Sequence, residues 1–172
     1  MAKIAFIMDE MFEDSEFRVP YDRVKEAGHE PIVIGLEQDK SIEGKGGDEK
    51  ITVDVSIDDV RADEFAALVI PGGYSPDKIR TNDKMVALTK EIAGSQRPVA
   101  AICHAGWMLA EADVVRGKTV TSWPSIKTDL INAGAEWVDQ EVVEDGNLIT
   151  SRKPDDLEAF SKALLSQIEQ TS

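Results

Sequence analysis

The chain has 172 residues, with 19 Lys or Arg against 33 Asp or Glu and a formal net charge of −14. Its length and its 42% apolar, 30% charged composition describe a soluble globular protein with chain enough for a real core. So acidic a surface disfavours nucleic-acid phosphates and anionic membranes, and a single cysteine, Cys103, excludes both an internal disulfide and a Cys-rich zinc site.

The N-terminal stretch Met1–Asp9 has no apolar region of signal-peptide length, and no run approaches the ~20 residues of a membrane span. The expected location is the reducing cytoplasm, where a lone thiol stays free.

Ile4–Met8 is a short apolar run closed by acidic residues, which predicts a buried strand. Phe17, Tyr21 and Val24 follow at helical spacing, with Gly28 at the place of a C-terminal cap. Pro31–Leu36 is a second β-rich run. Gly44, Gly46 and Gly47 within Ser41–Thr52 predict an exposed hairpin, and Ile51–Val55 alternates like an edge strand. Ala67–Ile70 is a third apolar run, stopped by Pro71-Gly72-Gly73. Met85, Leu88 and Ile92 mark a helix, and Pro98–Ile102 is a fourth strand that runs into Cys103. Gly106–Ala112 and Ile126–Ala133 read as short helices. Asp145-Gly146 reads as a hairpin turn between Glu141–Val143 and Asn147–Thr150. Leu157, Phe160, Leu164 and Ile168 form the buried stripe of a last helix that begins near Pro154. Strands alternating with helices predict one α/β domain over residues 1–172, with helices on both faces of a mostly parallel sheet.

Such sheets place ligands beyond the C-terminal ends of their strands. Three ends carry special residues: Asp9–Asp14, Pro71-Gly72-Gly73 and Cys103-His104. If those strands are neighbours, the three converge on one crevice. The Cys103 segment carries the strongest signal. Small residues stand two before it, at Ala101, and two after it, at Ala105, as a nucleophile elbow demands. An elbow exposes the side chain and sets the sulfur near a helix N-terminus, which favours thiolate; the bland reading is a buried structural cysteine.

His104 is the candidate base, although adjacent residues at such a turn point in different directions. Glu13 and Asp14 offer a carboxyl near the thiol, or else a solvated acidic loop. Gly72 and Gly73 can bring backbone N–H groups close to an oxyanion. Ala105 and Trp123 are expected beside the substrate, and Trp107 near the same crevice. Gly117-Lys118-Thr119 lacks the earlier glycine of a phosphate loop, and Gly44-Lys45-Gly46-Gly47 fails that pattern too.

Taken together, Phe12-Glu13-Asp14, Ala27–Glu30, Leu68–Gly73, Ala101–His104, Ile131–Gly134, Asp139–Asp145 and Thr150–Arg152 resemble the PfpI family of intracellular cysteine peptidases and glyoxalase- or deglycase-type stress proteins, from end to end. The resemblance implies a flavodoxin-like three-layer sandwich, Cys103 as nucleophile, His104 as its base and Glu13 as the acid hydrogen-bonded to the sulfur. It further implies Gly72 and Gly73 as the oxyanion turn, and a homodimer or larger homo-oligomer in which Asp77 reaches the neighbouring site. The family usually reads Cys-His-Gly-Pro, where this chain has Cys103-His104-Ala105-Gly106-Trp107.

Three functions follow. The first is a stress-defence enzyme without metal or organic cofactor, acting on small carbonyl compounds or on glycated proteins and peptides. The second is an intracellular peptidase using the same thiol. The third is a non-catalytic redox sensor or chaperone-like protein.

Overall fold

A computed structural model describes residues 1–171. In chain order the elements are β1 (Lys3–Ile7), α1 (Asp14–Glu26), β2 (Glu30–Gly35), β3 (Ser41–Glu43), β4 (Lys50–Thr52), β5 (Val55–Ser56), β6 (Ala67–Ile70), α2 (Ser75–Ile79), α3 (Asp83–Gly94), β7 (Val99–Ile102), α4 (Gly106–Glu111), β8 (Thr119–Val120), α5 (Lys127–Asn132), β9 (Glu136–Trp137), β10 (Val143–Asp145), β11 (Leu148–Ser151) and α6 (Leu157–Thr171). The main sheet runs β10-β11-β7-β6-β1-β2-β5, and all its pairings are parallel except that of β10 with β11.

The apolar runs are continuous because the central strands are buried on both faces. Along β1, Ala5 and Ile7 enter one core while Ile4 and Phe6 enter the other. The first core is closed by Met85, Leu88 and Ile92 of α3, Met108 and Leu109 of α4, and Leu130 of α5. The second is closed by Phe17 and Val24 of α1 and by Leu157, Phe160, Leu164 and Ile168 of α6. Burying each such side chain contributes about 1.5–3 kcal/mol. Phe17 also meets Phe12 and Phe6 edge-on, with centroids 5.5 and 6.0 Å apart. These contacts seat the first turn of α1 against the sheet.

Two sequence expectations shift. Ile51–Val55 is not one edge strand: β4 pairs with β3 in a separate hairpin, and only the two-residue β5 lies on the main sheet. The hairpin turn near the C-terminus is displaced by one residue, because Asp145 still pairs with Leu148 and leaves Gly146-Asn147 at the bend. The short elements α2, β8 and β9 carried no clear signal. Among the described residues no helix is long and apolar enough to cross a membrane.

Because β7, β6 and β1 are adjacent, their C-terminal loops meet. They are stitched together by a bridge between Phe12 and Gly73 and by the Asp9 amide donating to Ser75 Oγ at 2.8 Å.

Candidate active site at the end of the parallel sheet

Cys103 leaves β7 in the left-handed region, at φ 62°. An L-residue there costs about 1–2 kcal/mol. The flanking Ala101 and Ala105 are both buried, so the small residues read from the sequence sit where space is short. Gly72 is required by the same crowding: a Cβ on it would lie 2.8 Å from Cys103 Cβ and 2.4 Å from Glu16 Oε1.

Cys103 is half-buried, and its sulfur stands 3.2 Å from His104 Nδ1. The pair that adjacency in sequence left open is therefore formed. His104 Nε2 is in turn 3.2 Å from Ser125 Oγ, so the imidazole is held at both nitrogens. The rings of Trp107 and Trp123 lie 5.1 and 6.5 Å from it. Trp123 is 40% exposed, and its backbone amide donates to the Cys103 carbonyl.

The acid beside the sulfur is Glu16, not Glu13. Glu16 is fully buried; its Oε1 accepts from the Gly72 amide at 2.9 Å, Oε2 has no nitrogen or oxygen partner, and Cys103 is the neighbouring polar side chain. Glu13 precedes the helix, and its Oε1 lies 3.7 Å from Lys45 Nζ. Glu16 lies on the buried face of α1 with Phe17, Pro20 and Val24, whereas Glu13 stands before the helix in extended backbone, at φ −75° and ψ 117°. A carboxylate within an apolar stripe was the signal that could have identified it.

The oxyanion expectation changes as well. The Gly72 N–H is occupied by Glu16. The amides of Gly73 and His104 instead act on the sulfur. Gly73, at φ 82°, has no room for a Cβ, which would fall 2.5 Å from the Glu13 amide nitrogen. Asp77 is exposed on α2, and Ser125 is the side chain bonded to His104 Nε2 within this chain.

Burial dominates the electrostatics. It pushes the Glu16 carboxyl up to about 8, against the lowering effect of the Gly72 amide. It pushes the Cys103 thiol up to about 12, with an ionised Glu16 as the next cause. It also holds His104 below its ordinary value, with Lys45 acting in the same direction. Burial thus opposes the thiolate that the helix N-terminus favours. At neutral pH Glu16 keeps its proton, and the imidazole of His104, in contact with the sulfur, is held towards its neutral form. A neutral imidazole can take the thiol proton as the sulfur attacks. No group of three or more His, Cys, Asp or Glu suited to a metal ion occurs among the described residues.

Lys45 belongs to the Gly44–Gly47 loop, which lacks the pattern of a phosphate loop. The Gly44–Gly47 loop does cradle an anion, but the anion is the protein's own Asp14, whose carboxylate accepts from the amides of Gly46, Asp48 and Glu49 at 2.8–2.9 Å.

The chain is similar to known proteins along nearly its whole length. Protein/nucleic acid deglycase 2 of Escherichia coli (strain K12) is 48% identical over 164 residues, covering 95% of each chain. General stress protein 18 of Bacillus subtilis (strain 168) is 46% identical over 168 residues, covering 97% of this chain and 98% of the relative. The crystal structure of a two-domain protein from Anabaena variabilis, with DJ-1/ThiJ/PfpI-like and ferritin-like domains, superposes with a TM-score of 0.96 at 40% identity. The chain spans 48% of that larger protein, which in turn matches 98% of this one. The profile of the DJ-1/PfpI family matches residues 2–167, and with relatives of this similarity over nearly the whole length, the chain belongs to the DJ-1/PfpI family.

Proposed function

We propose that this chain is a single-domain, cysteine-dependent stress-defence enzyme acting on reactive carbonyls, either α-oxoaldehydes or early glycation adducts. The observation that carries the reading is the strained Cys103, half-buried and 3.2 Å from a two-sidedly held His104. The deglycase name of the Escherichia coli relative supports the substrate class.

With an α-oxoaldehyde, the Cys103 sulfur bonds to the aldehyde carbon and the carbonyl π pair moves to oxygen. The thiol proton passes through His104 to that oxygen, giving a hemithioacetal. The amides of His104 and Gly73, both directed at the sulfur, are the donors beside the developing charge. Through an enediol, the two hydrogens of the hemithioacetal carbon and its hydroxyl move to the neighbouring carbon and its oxygen. The product is a thioester of a 2-hydroxy acid, with no net oxidation. Water then cleaves the acyl–sulfur bond, releases the acid and restores the thiol.

The cytoplasm suits the free thiol. The enzyme works as a homodimer or larger homo-oligomer, in which Asp77 of one subunit approaches the His104 of the next. Exposure of Asp77 and of Tyr74, 60% accessible on the same turn, supports that arrangement.

The test is lactate formation from methylglyoxal. The wild type is expected to produce it, and Cys103→Ser is expected to lose at least about a thousandfold in rate. Equal rates would remove Cys103 from the chemistry. Cleavage of unstructured peptides without lactate formation would favour the peptidase reading of the same thiol.

A further inference from the structure

The Gly44–Gly47 loop belongs to no step of that reaction, yet it is built with care around one side chain. Asp14 enters from α1 and ties down the amides of Gly46, Asp48 and Glu49. The Lys45 amide donates to the Phe12 carbonyl at 2.8 Å, and the Met11 amide donates to Glu43 at 2.9 Å. Gly44 is buried against Asp14, and a Cβ there would lie 2.3 Å from Asp14 Oδ1. The two glycines flanking Lys45 are thus shaped to the carboxylate, and the lysine between them extends toward Glu13 and Tyr74. Its ammonium is 3.7 Å from Glu13 Oε1 and 5.9 Å from the centre of the Tyr74 ring, at the end of the sheet where Cys103 stands. The ion pair is loose and the lysine side chain is 40% exposed, so the ammonium is available to an incoming anion. Its charge acts on Cys103, Glu16 and His104 alike. On a protein of net charge −14, a fixed cation at this point opposes the overall field.

We infer that Lys45 is a specificity-determining residue: held near the elbow by the Asp14-anchored loop, it favours electrophiles that carry a carboxylate or phosphate beside the reacting carbon. This rests on the proposed function, because it concerns what Cys103 attacks.

Two alkylating agents of nearly equal size test it. In each the sulfur bonds to the methylene carbon and iodide leaves; iodoacetate is anionic and iodoacetamide neutral. The ratio of their rate constants at Cys103 is independent of how much thiolate is present. Lys45→Met is expected to lower the iodoacetate-to-iodoacetamide ratio by about three- to tenfold. Lys45→Glu is expected to lower it further, and Lys45→Arg to keep it within about twofold. Rapid labelling with the same ratio in all four proteins overturns the role of Lys45 alone. Failure of wild-type Cys103 to react with either agent overturns the proposed function and this inference with it.

Discussion

Asp14 and Glu16 stand two positions apart in the first turn of α1, and both are buried, but the pockets that receive them differ. On the hairpin side, burial raises the Asp14 carboxyl while the amides of Gly46, Glu49 and Asp48 lower it, and together the amides win. On the sheet side Glu16 meets one amide, that of Gly72, and burial wins, so its carboxyl is pushed up to about 8. The same chemical group is thereby an anchor that stays ionised and a proton holder beside a thiol. The number of backbone donors, rather than depth, decides which.

The largest expected effect concerns Glu16. The folded state keeps its proton to about pH 8, whereas an unfolded chain loses it near 4.5. Between those values the folded state holds more protons, so this residue's contribution to stability declines as pH rises, by about 5 kcal/mol in all. Glu16→Gln retains an acceptor for Gly72 and removes the titration. Urea unfolding from pH 5 to 8 should therefore show the variant gaining steadily on the wild type. Parallel curves would mean that Glu16 ionises normally and that the two pockets are alike.

Asp14→Ala should cost about 2–3 kcal/mol, because three amides lose their acceptor at once. Hydrogen exchange at Gly46, Asp48 and Glu49 should accelerate while exchange in β7 does not. The sign with pH is opposite to that of Glu16: Asp14's contribution is present above its ordinary value and is lost as pH falls below it. Unchanged exchange at these amides would show that the loop stands without its anchor.

The smallest effect is expected at Gly46, where an added Cβ would come 3.2 Å from Asp14 Oδ1. Gly46→Ala should stay within about 1 kcal/mol of the wild type in urea unfolding, since reduced freedom of the unfolded chain offsets mild crowding. A greater loss would mean that the Asp14 pocket is as unyielding as the Glu16 one.

How much of this could be read in advance depended on the range of the forces involved. The strand into Cys103 and the alanines around it were legible because the elbow is local, set by residues two positions away. The convergence of three loops was legible from the apolar runs, since parallel order puts their ends on one side. The motif points to Glu13; that Glu16 is the carboxyl carried inward with Phe17, Pro20 and Val24 depends on where α1 begins. The Gly44–Gly47 loop was discarded because its anion comes from 30 or more positions away in the chain. Ser125 gave no signal: its bond to His104 spans 21 positions and depends on where α5 begins.

The backbone at Cys103 has a consequence for how this position can change over time. At φ 62° a glycine would sit without penalty, so selection for folding alone would tend to erase the side chain. Thermal robustness and reactivity pull against each other at this one residue. A lineage released from the need for the thiol would have a downhill route to losing it while keeping the surrounding sheet intact.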